Sequence, residues 1–175
     1  MGFHDESGLS ERPFIRRTWA PKGKTPTIAS SGSWKKLALS GVIMTDPQGV
    51  SPKLLLKSIT GNVDALEVVR FLKDIKRHVH GKKVLLVWDG LPAHRAKIVQ
   101  AYLKTQTDWL KVVRFPAYAP ELNPIEYLWG TMKKTYLANL TPYLRVIGRE
   151  LRRCRRKISD CTLLQGFLRA SSLYS

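Results

Sequence analysis

Asp89 and Glu126 are the side chains whose placement invites chemistry. Val84-Leu85-Leu86-Val87-Trp88 is a short apolar run that reads as a buried strand, and Asp89 follows it just before the turn Gly90-Leu91-Pro92. In open α/β sheets, ligands bind in the crevice outside such strand ends. A helical pattern and a second strand, Leu110 to Phe115, lead on to Pro120-Glu121-Leu122-Asn123-Pro124-Ile125-Glu126. Thirty-six residues separate Asp89 from Glu126, room for one helix and one strand, so both acids can return to one rim. Carboxylates converging from separate strand and helix ends can hold Mg²⁺, which takes oxygen ligands and keeps several waters. Two such ions about 4 Å apart activate a nucleophile and stabilise a leaving oxyanion in phosphoryl transfer. Asp5 is a third acid on offer. Glu126 also has a purely structural reading, because Asn123-Pro124-Ile125-Glu126 is a capping box with Pro at the first helical position. The two readings are compatible, since a fixed helix start also fixes where the carboxylate points.

The elements that must position these acids follow an α/β order. Lys36 to Thr45 reads as a strand, Asp46-Pro47-Gln48-Gly49 as a turn, and Val50 to Ile59 as the hairpin partner. Asn62 is the expected cap of a helix with apolar positions Val63, Leu66, Val69, Leu72, Ile75 and Val79, ended by Gly81. A second helix is expected from Ala93 to Thr105, with Ala96, Val99 and Leu103 on one side, and a third from Pro124 to about Leu140, closed by Thr141-Pro142. A strand carrying Asp5 has only Met1 to His4 ahead of it, which is short for a central strand. Adjacent strand residues face opposite ways, so Glu6 is expected on the other face or the surface, apart from Asp5. Trp88 and Trp129 are expected in the core. Residues 1–140 make one α/β domain with mixed strand pairing, and 141–175 a basic helical tail.

Composition narrows the partner. Thirty Lys and Arg against 13 Asp and Glu give +17 over 175 residues, a bias toward a polyanion. Residues 11 to 33 are loop-like; Arg12, Arg16, Arg17, Lys22 and Lys24 could wrap a phosphate backbone there, with Trp19 as a packing anchor. From Tyr143 to Ile158, Leu144, Ile147, Leu151, Cys154 and Ile158 recur at helical spacing. The other face carries Arg145, Arg149, Arg152, Arg153, Arg155, Arg156 and Lys157, a surface suited to tracking phosphates. Cys154 and Cys161 are expected as free thiols on the same apolar stripe, and His78 and His80 as a surface pair. No apolar run reaches the ~20 residues of a membrane span, and the start lacks signal-peptide features, so a soluble cytoplasmic protein is expected, nucleoid-associated when bound to DNA.

Two segments resemble the second and third catalytic blocks of DDE transposases: Val87-Trp88-Asp89-Gly90-Leu91-Pro92-Ala93-His94 and Pro120-Glu121-Leu122-Asn123-Pro124-Ile125-Glu126-Tyr127-Leu128-Trp129. The likeness is to the mariner superfamily on its bacterial side, the insertion-sequence six-thirty family. Asp5-Glu6-Ser7-Gly8 with Arg17-Thr18-Trp19-Ala20-Pro21-Lys22-Gly23 looks like the first block. The resemblance implies a ribonuclease-H-like fold and Asp5, Asp89 and Glu126 as the three metal-binding acids, with His94 and Asn123 as possible supports. It implies two Mg²⁺ ions (Mn²⁺ substituting), cleavage and strand transfer of double-stranded DNA at element ends and target, and a homodimer. It also implies a helix-turn-helix region upstream of these residues, expected either as a partner polypeptide from a split gene or as lost from a remnant. Two rivals accompany this reading: an inactive remnant that binds DNA by charge, and a nuclease of the same fold without strand transfer.

Overall fold

The computed structural model describes residues 1–11, 14–27, 35–116, 119–139 and 143–174. Five strands form one mixed sheet in the order β3-β2-β1-β4-β5. They are β1 (Gly2–Ser10), β2 (Lys36–Met44), β3 (Lys53–Thr60), β4 (Val84–Trp88) and β5 (Leu110–Arg114). β1 lies at the centre and pairs antiparallel with β2 at all nine of its positions, from Gly2–Met44 to Ser10–Lys36. The strand expected to be short is therefore long, because it runs on past Asp5 and Glu6 to Ser10. Its parallel pairing with β4 is brief, Gly2 with Leu86 and Phe3 with Val87. The ladder stops at Phe3 because β4 ends one residue later, at Trp88, and a strand's carboxyl end at a change of strand order is where an α/β sheet offers a crevice.

Side-chain alternation sorts the strands onto two cores. Phe3, Leu39 and Ile43 face one side, with Ile125, Leu128 and Trp129 of α3 (Pro124–Thr131). Val42, Leu86 and Trp88 face the other, with Val68, Phe71, Leu72 and Ile75 of α1 (Ala65–Val79) and Val99 of α2 (Lys97–Lys104). Leu39 and Ile43 are fully buried, each burial contributing about 1.5–3 kcal/mol. Helices α4 (Leu144–Ile158) and α5 (Cys161–Ala170) join the first core through Ile147, Leu151, Cys154, Ile158, Leu164, Phe167 and Leu168.

Several local expectations need correction. Asp64, not Asn62, caps α1, its carboxylate accepting from the Glu67 N–H at 2.8 Å. That start turns Leu66 to solvent and puts Val68 and Phe71 inside. The expected helix from Ala93 divides into a 3₁₀ turn, Pro92–Arg95, and α2, because Ala96 is extended. Asp160 caps a new helix by accepting from the Leu163 N–H at 3.0 Å, so Cys161 leaves the stripe of buried Cys154 and is exposed. Trp19 anchors nothing and is fully exposed. Phe14 packs in its place, and the Asn139 N–H donates to the Phe14 carbonyl at 2.8 Å. After Thr131 the chain continues as a π-helical turn, Met132–Tyr136. The expected stop at 140–142, like Arg12, lies outside the described residues.

Candidate active site

The site is built where the β1–β4 ladder ends. Asp5 points toward α3, where the Trp129 indole N–H donates to its Oδ2 at 2.9 Å. Gly41 sits opposite Asp5 on β2. A Cβ there would lie 2.9 Å from both the Trp129 ring and Ile125, so glycine is what lets the indole lie across the sheet to reach the acid. Burial, followed by the charge of Glu126, pushes the Asp5 carboxyl up to about 7. Trp129 is thus a core residue, as expected, that also holds a site acid.

On the opposite face a second buried network meets the same opening. Trp88 stacks flat on His94, the ring centroids 4.1 Å apart. His94 Nδ1 lies 2.9 Å from an Asp89 carboxylate oxygen, and Nε2 lies 2.9 Å from Oε1 of Glu6. Burial alone would lower the His94 pKa, but the hydrogen bonds to Asp89 and Glu6 outweigh it and raise it to about 9. At neutral pH the ring carries both protons and clamps acids from two strands. Burial likewise opposes the Asp89 charge, yet the bonds from His94 and from the Leu91 N–H hold that carboxyl below its ordinary range. His4 Nε2 lies 3.1 Å from the Ser40 hydroxyl. Burial drives the His4 pKa down to about 4, so it is neutral.

One oxygen each from Asp5, Glu6 and Asp89 lie within 4.8 Å of one another. This corrects the expectation that Glu6 stands apart from Asp5. β4 ends at Trp88, so beside Asp5 and Glu6 β1 has no paired strand on that side, and oxygens from its two faces come within reach of Asp89. Glu126 lies outside this group of three, exposed on the first turn of α3, one turn from the Trp129 that holds Asp5. Nor does it close the capping box. Asn123 Oδ1 accepts from the Ile125 N–H at 3.4 Å, while the Asn123 N–H donates to the Pro120 carbonyl at 3.0 Å. The structural duty read for Glu126 is therefore taken by backbone, and its carboxylate faces a groove of about 640 Å³ with Arg16, Thr131 and Lys134.

Hard oxygen donors with one imidazolium among them fit Mg²⁺ or Mn²⁺. The buried Oε2 of Glu6 has no hydrogen-bond partner, and burial with the Glu126 charge raises the Asp5 carboxyl; a cation would relieve both.

DDE superfamily endonucleases match residues 1–143 as a family. The chain belongs to that family. The "insertion element IS630 uncharacterized 39 kDa protein" of Shigella sonnei is 24% identical over 139 residues, covering 78% of this chain and 38% of that protein. The chain thus spans well under half of that relative. The Mos1 mariner paired-end complex with Mn superposes with a TM-score of 0.70 at 19% identity, over 98% of this chain and 51% of that one. The Mos1 transposase catalytic domain with Raltegravir and Mg does so with a TM-score of 0.64 at 17% identity, over 98% of this chain and 79% of that one. These likenesses carry the fold, a ribonuclease-H-like mixed sheet flanked by helices.

In this DDE family member the expected basic residues lie in two places. Arg16 is fixed beside Glu126: its guanidinium donates to the Lys134 carbonyl at 2.8 Å, and its N–H to Asn139 Oδ1 at 2.9 Å. Arg17, Lys22 and Lys24 are exposed on the loop that follows. Arg145, Arg149, Arg152 and Arg156 form one exposed stripe of α4 at helical spacing, and Arg153 flanks it, paired with Glu150 at 3.2 Å. Glu6, His4 and Trp129 are the site groups sequence reasoning missed. His4 and Glu6, two apart on one strand, share a face, and that period was the signal available. Among the described residues, no helix is long and apolar enough to cross a membrane.

Proposed function

We propose that the chain is the catalytic domain of a DNA transposase that cuts and joins DNA at one metal site. The observation that carries this is the convergence of Asp5, Glu6 and Asp89 oxygens within 4.8 Å, with the Glu126 charge bearing on Asp5. Asp5, Asp89 and Glu126 would hold two Mg²⁺ ions, Mn²⁺ substituting, and the Mn and Mg named with the Mos1 structures support that choice. When bound, such ions supply activation of an attacking oxygen and stabilisation of a leaving one. The protein's part is placement. Trp129 fixes Asp5, His94 fixes Asp89, and the start of α3 aims Glu126 into the groove beside Arg16. Water attacks a phosphodiester first and frees a 3′-hydroxyl at the element's end; that hydroxyl then attacks a phosphodiester of target DNA and displaces the target's own 3′-oxygen, at the TA dinucleotide that the family resemblance implies. Two copies of the chain act on paired ends, with an upstream-encoded helix-turn-helix region supplying end recognition, in the bacterial cytoplasm and on the nucleoid.

The test is product analysis with Mg²⁺, the chain and its upstream-encoded region on a plasmid carrying the DNA that flanks its coding sequence. Joined products with TA duplications support the reading. Nicks without joining point to the nuclease, and binding without nicks to the remnant; either overturns it.

The α4 stripe is assigned to the phosphate backbone. Replacing Arg145, Arg149, Arg152 and Arg156 together by Ala should flatten the plot of log affinity against log salt by about 0.9 for each phosphate the helix no longer neutralises. A slope that does not change would leave the stripe as a solvated face.

A further inference from the structure

We propose that Glu6 is a fourth acid of the cation site, its free oxygen Oε2 completing the oxygen set that Asp5 and Asp89 begin. The proposal rests on the metal-site reading above and goes beyond its three acids. Three observations carry it. One oxygen of Glu6 lies within 4.8 Å of oxygens of both Asp5 and Asp89. The side chain is 8% exposed, and Oε2 is buried without a hydrogen-bond partner. Its other oxygen, Oε1, is held at 2.9 Å by His94, which also grips Asp89. A buried carboxylate oxygen left unpaired is costly, and a fold tolerates it where a ligand supplies the missing partner.

The donor set points the same way. Asp5, Glu6 and Asp89 gather three carboxyl groups at this opening, which one divalent cation would draw on together. His4 is the other titratable side chain facing Glu6, its Nε2 3.7 Å from Oε1. His94 is then a positioning residue: by taking Oε1 through one ring nitrogen and Asp89 through the other, it sets the distance between two acids from different strands. Backbone alternation alone would hold Glu6 away from Asp5. The end of the β1–β4 ladder after Phe3 is what lets them meet.

The experiment is a calorimetric titration of the full chain with Mn²⁺ alone, at neutral pH, for wild type, Glu6→Gln and Asp89→Asn, with folding checked by circular dichroism. Glu6→Gln keeps the shape and removes the charge, and Mn²⁺ affinity should fall at least about tenfold, the loss typical for removing a supporting group of a metal site. Glu6→Gln binding within about twofold of wild type, while Asp89→Asn abolishes binding, would overturn the role of Glu6 and leave the three-acid site standing. A wild type that binds no Mn²⁺ would overturn both. Should Glu6→Gln fail to fold, the wild type labelled with ¹³C at glutamate carboxyls decides. The Glu6 carboxyl resonance should move and saturate during Mg²⁺ titration, with Glu67 on α1 as the unmoved reference. A static Glu6 resonance overturns the proposal.

Discussion

Asp89→Asn is expected to lower the rate of DNA cleavage and of strand transfer by at least about 10³-fold, with DNA affinity little changed. The substitution is nearly isosteric, and the amide oxygen can keep the bond from the Leu91 N–H, 3.1 Å away in the wild type. What it removes is a negative charge that the His94 ring uses and that, on the proposed mechanism, a cation would need. Metal-ion catalysis supplies several kcal/mol of transition-state stabilisation, and each 1.36 kcal/mol is tenfold in rate. Because the side chain is 37% exposed and sits at the end of β4, the fold loses little. Single-turnover assays on end-bearing DNA, beside a binding isotherm for the same DNA, separate chemistry from association. A variant within about tenfold of the wild-type rate would remove Asp89 from the cation site.

How far such a result could be foreseen from sequence depends on which contacts are local. The run Val84 to Trp88 and the turn after Asp89 are local signals, and they place that acid at a strand end correctly. The helix start at Asn123 is also local, and α3 begins at Pro124 as read. By contrast, whether Glu126 caps its own helix or serves the groove turns on where the Asn123 N–H goes, and that is decided by the 3₁₀ turn at Pro120–Leu122. Strand alternation correctly sent Asp5 and Glu6 to opposite faces. It could not reveal that the β1–β4 ladder ends at Phe3, because pairing between residues 84 apart in the chain is a tertiary fact. Trp129 reaching Asp5 past Gly41 joins three distant segments, and no spacing along the chain encodes it. The phase of α1 failed for a smaller reason. Asp64 and Asn62 are both good caps, and the choice between them rotates which residues meet the sheet.

Asp5→Asn is expected to stabilise the fold in the presence of a chelator, by an amount that grows as pH rises from about 4 to about 7 and is constant above. The Asp5 carboxyl is raised from 3.8 to about 7 by burial and by the Glu126 charge. Below pH 3.8 it is protonated in both folded and unfolded chains, and the full stability is present. As pH rises, the unfolded chain releases this proton first, so stability falls until the folded carboxyl also ionises near 7. A gap of about three pH units at 1.36 kcal/mol each gives a loss of about 4 kcal/mol by pH 8. Asn carries no charge to bury and still offers an oxygen to the Trp129 indole, so the variant escapes that loss. Urea denaturation of both proteins should give nearly equal stabilities at pH 4 and a gap opening toward pH 8 in favour of Asp5→Asn. A variant less stable than wild type at pH 8 would mean the Asp5 charge is already balanced inside the fold. Divalent cation should relieve the same charge by a different route. A site that binds the folded state stabilises it by about 2.7 kcal/mol at a hundredfold excess over Kd. Saturating Mn²⁺ at pH 8 should therefore raise the wild type toward the variant while leaving the variant itself nearly unmoved. The carboxylate that weakens the empty fold is, on this account, the one the chemistry requires.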